Sequence, residues 1–170
     1  FDEISLDLGL SLVQVGWIWG AGSVLGILVG VVGGPIGDRF GPRRTLAVAC
    51  LLMGVAGAAR GLSTTFTALV ATTLITGMAQ WSIPMNIHKT CGIWFSKAQL
   101  GMANGVVAVG MALGFLLGSL FGATYFSPLL GGWRNVLYMY GAVAVLFSIF
   151  WWSTHEKSDE GDPRINQPII

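Results

Sequence analysis

Five apolar stretches, each almost free of formal charge, constrain this chain more than any other feature. They run near residues 12–36, 45–62, 66–87, 102–126 and 136–152. A helix rising 1.5 Å per residue needs roughly 17–25 apolar residues to cross ~30 Å of hydrocarbon, and each stretch is near or above that length. Backbone groups in lipid must be satisfied internally, so helices are the expected form. The alternating segments of about ten residues that mark a membrane β-barrel are not seen. Composition agrees: 54% of the 170 residues are hydrophobic and 10% are charged, against roughly 25% charged in soluble domains. Mean hydropathy is +0.71. A water-soluble fold could not hide this much apolar surface. The expected fold class is all-α, a polytopic transmembrane helix bundle over residues 1–152, with the lipid bilayer as its solvent.

The connections at 38–44, 60–65 and 126–134 are short, and a longer turn spans 89–100. Short loops imply antiparallel neighbours and one compact bundle. Lys and Arg are distributed unevenly. One side holds Arg39, Arg43, Arg44, Lys89, Lys97, Lys157 and Arg164; the other holds Arg60 and Arg134, with Asp2, Glu3 and Asp7. The positive-inside bias makes the first side cytoplasmic and places Phe1 outside. That start is polar and carries no signal-peptide pattern, so an earlier helix is expected to deliver it there. Residues 153–170 are polar, with Pro163 and Pro168, and read as the start of a disordered cytoplasmic loop. Trp17, Trp19, Trp151 and Trp152 suit interfacial anchors, and Trp94 and Trp133 fall at helix ends.

Several function classes are disfavoured. The net charge of +1 provides no footprint for nucleic acid. Cys50 and Cys91 have neither metal-site nor disulfide spacing. His88 and Cys91 are too few for a metal site without further ligands, and no acid–base pair lies within a membrane stretch, so an enzyme is not expected. Neither a metal nor a cofactor is implied.

Glycines recur every fourth residue at Gly22, Gly26, Gly30 and Gly34, and again at Gly110, Gly114, Gly118 and Gly122. That spacing puts each series on one helical face. Small residues allow two backbones to approach closely where no hydrophobic effect drives helices together. Both series are therefore candidate packing faces, static or sliding.

The first cytoplasmic turn reads Gly34-Pro35-Ile36-Gly37-Asp38-Arg39-Phe40-Gly41-Pro42-Arg43-Arg44. Gly41 and Pro42 make a tight reversal. Asp38 ends a helix, where an anion opposes the helix dipole; it is better placed against Arg39, Arg43 or another helix N-terminus. The plainer reading is a turn that collects solvated basic residues. In form, this segment resembles the signature of the major facilitator superfamily, Gly-x-x-x-Asp-Arg-x-Gly-x-Arg-Arg. Gly34, Asp38, Arg39, Gly41, Arg43 and Arg44 match it in place, and Pro42 departs from the usual Arg or Lys. Trp94-Phe95-Ser96-Lys97 followed by Gly101-Met102-Ala103-Asn104-Gly105 looks like the family's link between helices four and five. Gly131-Gly132-Trp133-Arg134 looks like the start of its helix six.

The resemblance implies helices two to six of a twelve-helix transporter in the cell membrane. The partners it implies are a first helix, a second half and a small-molecule solute. It also implies that Asp38, Arg39 and Arg43 latch the two halves on the cytoplasmic side, a contact that breaks during alternating access. Two family markers are absent: Thr73 stands where helix four often carries an arginine, four residues before Gly77, and Gly118 is followed by Ser119 rather than proline. Both argue against a drug–proton antiporter. Thr72, Thr73, Thr76, Gln80 and His88 recur at helical spacing, with Pro84 as a kink. Thr73, Thr76, Gln80 and His88 are the candidate solute path, and interhelical hydrogen bonding is the alternative. Asn86 and Asn104 are weaker candidates. A transporter is the leading reading, a transporter-like sensor or non-transporting subunit the second. The last helix loosely resembles members that move anions.

Overall fold

The computed structural model describes residues 2–154, except for the side chains at positions 2, 27, 28, 30–36 and 38. The expected loop at 155–170 lies outside the described residues. A short helix α1 (Asp2–Asp7) precedes α2 (Leu12–Phe40), α3 (Pro42–Gly61), α4 (Phe66–Trp94) and α5 (Lys97–Phe121). A π-helical turn, Gly122–Phe126, leads into α6 (Ser127–Leu130), and α7 (Trp133–Ser153) completes the order. No strand occurs among the described residues.

Local sequence explains the boundaries. Ser11 caps α2 through a capping box: Gln14 N donates to Ser11 Oγ at 3.3 Å, and Ser11 N donates to Gln14 Oε1 at 2.9 Å. Gly41 holds φ +81° between α2 and α3, a conformation L side chains rarely adopt. Pro42 then opens α3 at its first position, where a missing N–H costs nothing. Thr65 caps α4, accepting from Ala68 N at 3.3 Å. Pro84 lies inside α4, which nonetheless runs on to Trp94. Among the described residues, four helical segments are long and apolar enough to cross a bilayer: Pro42–Gly61, Phe66–Trp94, Lys97–Leu130 and Trp133–Ser153. Leu12–Gly26, the described apolar part of α2, is shorter.

Packing departs from the order of the chain. Thus α2 lies chiefly along α4, and α3 lies against α7 as well as its chain neighbour α4. The reason is glycine. A Cβ on Gly54 would stand 2.7 Å from Gly141 O, and a Cβ on Gly141 would stand 2.7 Å from Gly54 O. The α3 and α7 backbones thus interlock reciprocally, at a distance that admits no side chain on either. Farther along, Ser148 Oγ donates to Ala47 O at 2.7 Å, and Gly61 meets Tyr138 and the Arg134 carbonyl. On α2, Gly22 backs onto Gly77 of α4, whose Cβ would stand 3.2 Å from Gly22 Cα, and Gly26 lies under the Trp81 indole.

The second glycine series is placed differently. A Cβ at Gly110, Gly114 or Gly118 meets nothing within 4 Å, and α5 buries no residue. Its attachments are local: Tyr140 donates to Gly118 O at 2.8 Å, and His88 meets Asn104.

The end of the bundle that holds α1 carries a feature the sequence reading missed. Ile4 of α1 packs with Ile18, Leu69 and Trp133, and Leu8, Leu10, Phe66, Val70 and Leu137 close around them. Polar contacts seal this cap. Ser127 Oγ donates to Glu3 Oε2 at 2.6 Å. Asp7 Oδ2 accepts from Trp133 Nε1 at 3.2 Å and from Arg134 Nη2 at 2.8 Å. The Arg134 guanidinium also stacks over the Trp133 ring at 4.8 Å.

Candidate functional site

The turn between α2 and α3 is the densest group of charge in the spanning region. Gly34 and Asp38 have helical backbone in α2, and the Asp38 carboxylate lies outside the described residues. Arg39 is exposed, its guanidinium 5.8 Å from the centroid of Phe40. Gly41 makes the reversal, and its carbonyl accepts from Thr45 Oγ1 at 2.8 Å.

Arg43 turns back onto α7. Its Nε donates to Trp151 O at 3.2 Å and its Nη2 donates to Trp152 O. These carbonyls end a helix and have no partner within it. They carry the negative end of the α7 dipole, so a guanidinium is the favoured group there. Arg44 is exposed beside it, and a cavity of about 150 Å³ is lined by Arg43, Arg44, Ala47 and Trp152.

From the other side, α4 reaches the same end of α2. Asn86 is fully buried, and its Nδ2 donates to Ser82 O at 2.8 Å. Its Oδ1 has no hydrogen-bond partner among the described residues and sits where a Cβ on Gly37 would be. Lys89 Nζ stands 3.4 Å from that same point. An amide and an ammonium from α4 therefore abut the residue before Asp38. The signature, shared by the end of α2 and the start of α3, is gathered against two further helices, α4 and α7. The sequence pointed to the turn but not to its seat on α7, because backbone carbonyls leave no mark in a motif.

The polar face of α4 is divided. Thr72 donates to Ala68 O at 2.9 Å, Thr73 to Leu69 O at 2.7 Å and Thr76 to Thr72 O at 3.0 Å. Thr76 is buried against Gly57 of α3. Gln80 and His88 are exposed. His88 Nδ1 lies 2.9 Å from Asn104 Oδ1 and ties α4 to α5. The stripe thus comprises a threonine part at the α3–α4 seam and an exposed part farther along α4. No group of three metal-ligating side chains occurs among the described residues.

Comparison with known proteins joins these observations. The hexuronate transporter of Bacillus subtilis (strain 168) is 26% identical over 161 residues, covering 91% of this chain and 36% of the relative. The 3-(3-hydroxy-phenyl)propionate transporter of Escherichia coli (strain K12) is 28% identical over 144 residues, covering 84% and 35%. A probable nitrate/nitrite antiporter of Thermus thermophilus is 27% identical over 177 residues, covering 98% and 39%. The chain therefore spans little more than a third of the length of the curated relatives it matches. The Major Facilitator Superfamily profile matches residues 1–168. With apolar helices of bilayer length, a charged turn seated among them and transporters as relatives, this chain is multi-pass membrane protein and belongs to the major facilitator superfamily.

Proposed function

We propose that the protein containing this chain moves a small anionic solute across the cell membrane by alternating access, as a secondary active transporter or a facilitator. The observation that carries this reading is the seat of the cytoplasmic turn. Arg43 binds the last carbonyls of α7, and Asn86 and Lys89 of α4 abut Gly37. A turn held this way is pre-positioned, so Gly34, Asp38, Arg39, Gly41, Arg43 and Arg44 act as a conformational gate against a second transporter half. That half and a first helix are supplied by sequence beyond these residues. The anionic solute class is supported by the relatives: hexuronate, a phenylpropionate and nitrate or nitrite are all oxyanions. Thr73, Thr76, Gln80 and His88 are the proposed polar contributors from α4.

The test is uptake by the intact protein in liposomes. Wild type gives saturable flux of an anion. Asp38→Asn lowers that flux more than tenfold while the protein still elutes as a folded species. Full flux from the variant refutes the gate; solute binding without any flux in the wild type replaces the transporter with a sensor.

A further inference from the structure

Among the described residues, four large side chains are closed off completely from the surface, and three of them are apolar: Ile18, Leu46 and Leu69. The fourth is Asn86, in the part of α4 that follows Pro84. Its Nδ2 donates to Ser82 O at 2.8 Å. That bond fixes the orientation of the amide, since the opposite one would set Oδ1 against the same carbonyl, acceptor facing acceptor. Oδ1 is therefore turned to α2, where it occupies the place a Cβ on Gly37 would take. Gly37 lies within α2, so its N–H belongs to the helix ladder. Residues 31–36 carry no side-chain donor, and an ionised Asp38 only accepts. Oδ1 is left without a hydrogen-bond partner among the described residues.

A stranded buried acceptor is unfavourable, and an apolar side chain of the same shape in its place is neutral or better. The packing of α2 on α4 thus carries a fault that lowers its stability, one residue from the signature Asp38. A donor stands close by. Lys89 Nζ is 3.4 Å from the same point on Gly37. It lies three residues beyond Asn86 on α4, and so on the same face. In this packing Lys89 is engaged elsewhere than with Oδ1. An acceptor and a donor from one helix therefore converge on a glycine of another, and the glycine stands between them.

We propose that Asn86 is a positioning residue that keeps the gate from settling in the packing seen in this structure: when the end of α2 draws away from α4, Oδ1 is released from Gly37 and accepts from Lys89 Nζ. This rests on the transporter reading above. The amide biases the equilibrium twice, by burdening the packed arrangement and by gaining a charge-assisted bond in the separated one. Leucine, close to asparagine in shape, removes both effects. Alanine at position 37 acts in the opposite direction, because its Cβ claims the place of Oδ1 and makes the packed arrangement harder to reach.

The experiment is a distance measurement by double electron–electron resonance on the intact protein in liposomes. Nitroxides are attached through Phe40→Cys and Trp94→Cys, exposed positions at the ends of α2 and α4, with Cys50 and Cys91 replaced by alanine. Uptake of labelled D-glucuronate, 3-(3-hydroxyphenyl)propionate and nitrate is recorded on the same samples. With Gly37 and Asn86 in place, the expected result is a shorter and a longer distance, and saturable uptake of at least one anion. Asn86→Leu reduces the longer-distance fraction about fivefold and slows uptake to match. It also raises the thermal midpoint by about 2 °C. Gly37→Ala increases the longer-distance fraction about threefold. Unchanged fractions in Asn86→Leu beside normal uptake overturn the proposal alone. So does a fall in the thermal midpoint of that variant, since Oδ1 is then satisfied in the resting protein. A single distance without saturable uptake when both residues are native overturns the transporter reading and this proposal together.

Discussion

The two glycine faces are alike in sequence and different in surroundings. On α2, a Cβ on Gly26 would meet the Trp81 ring and the Gly22 backbone faces Gly77 of α4, although a Cβ on Gly22 itself would meet nothing within 4 Å. On α5, a Cβ on Gly110, Gly114 or Gly118 meets nothing within 4 Å, and the last member of that series, Gly122, meets Tyr140. Fourfold spacing establishes that a backbone can be approached closely. It does not establish that anything approaches. A third pair, Gly54 and Gly141, stands outside either series and sets backbone against backbone, whereas Gly26 meets a side-chain ring. Closeness therefore depends on the partner's surface as much as on the run of small residues.

Substitutions at these faces rank the difference. Gly54→Leu carries the largest effect, because its side chain would have to displace a carbonyl and the α7 backbone. It should cost more than about 3 kcal/mol, read as loss of the folded species in a denaturant titration in mixed micelles. Gly26→Leu meets only the Trp81 ring, which is 50% exposed and can swing toward lipid. A cost of about 1–2 kcal/mol is expected, and a larger one would mean that the ring is held. Asp7→Asn tests the outer cap against both faces. Its pair with Arg134 has side chains 46% and 36% exposed, so screening limits the loss to about 0.5 kcal/mol. The shift should shrink further at high salt. Gly114→Leu is the smallest. In the chain of residues 1–170 it should move the unfolding midpoint by less than about 0.5 kcal/mol, since helix propensity favours leucine. If the same substitution in the intact protein abolishes uptake, the open face is engaged by sequence beyond this chain; if uptake persists, the comparison between the two faces holds in the whole transporter as well.

Four apolar helices of bilayer length were legible because hydrocarbon thickness fixes length and lipid forbids charge. Helix ends were less so. The fourth apolar stretch begins near 102, yet α5 starts at Lys97, and α4 continues past 87 to Trp94. Hydropathy marks the slab, whereas a helix can continue into water that satisfies its backbone. The cap was hidden for a different reason. Six residues make too short a helix for a periodic signal, and Ile4 gains its meaning only from Ile18, Leu69 and Trp133, far along the chain. The threonine stripe was half legible. Spacing sets a side chain's direction from its own axis, but which neighbour lies there depends on how helices cross. That is why Thr76 is enclosed while Gln80 and His88 are not. Arg60, read from sequence as one of two basic residues on its side, has a buried Nε without a hydrogen-bond partner among the described residues, which no pattern announces.

The α3–α7 seam has a mechanical consequence. Its pairings step evenly from end to end: Arg43 with Trp151 and Trp152, Ala47 with Ser148, Gly54 with Gly141, Gly61 with Arg134. The interlock at its middle leaves no room for one helix to ratchet a turn, about 5.4 Å, past the other. The pair behaves as a keyed strut. A displacement of α3 at Arg43 therefore carries α7 with it, down to Arg134 at the far end of the seam. The two ends of the seam are thus held in register by backbone set against backbone at its middle.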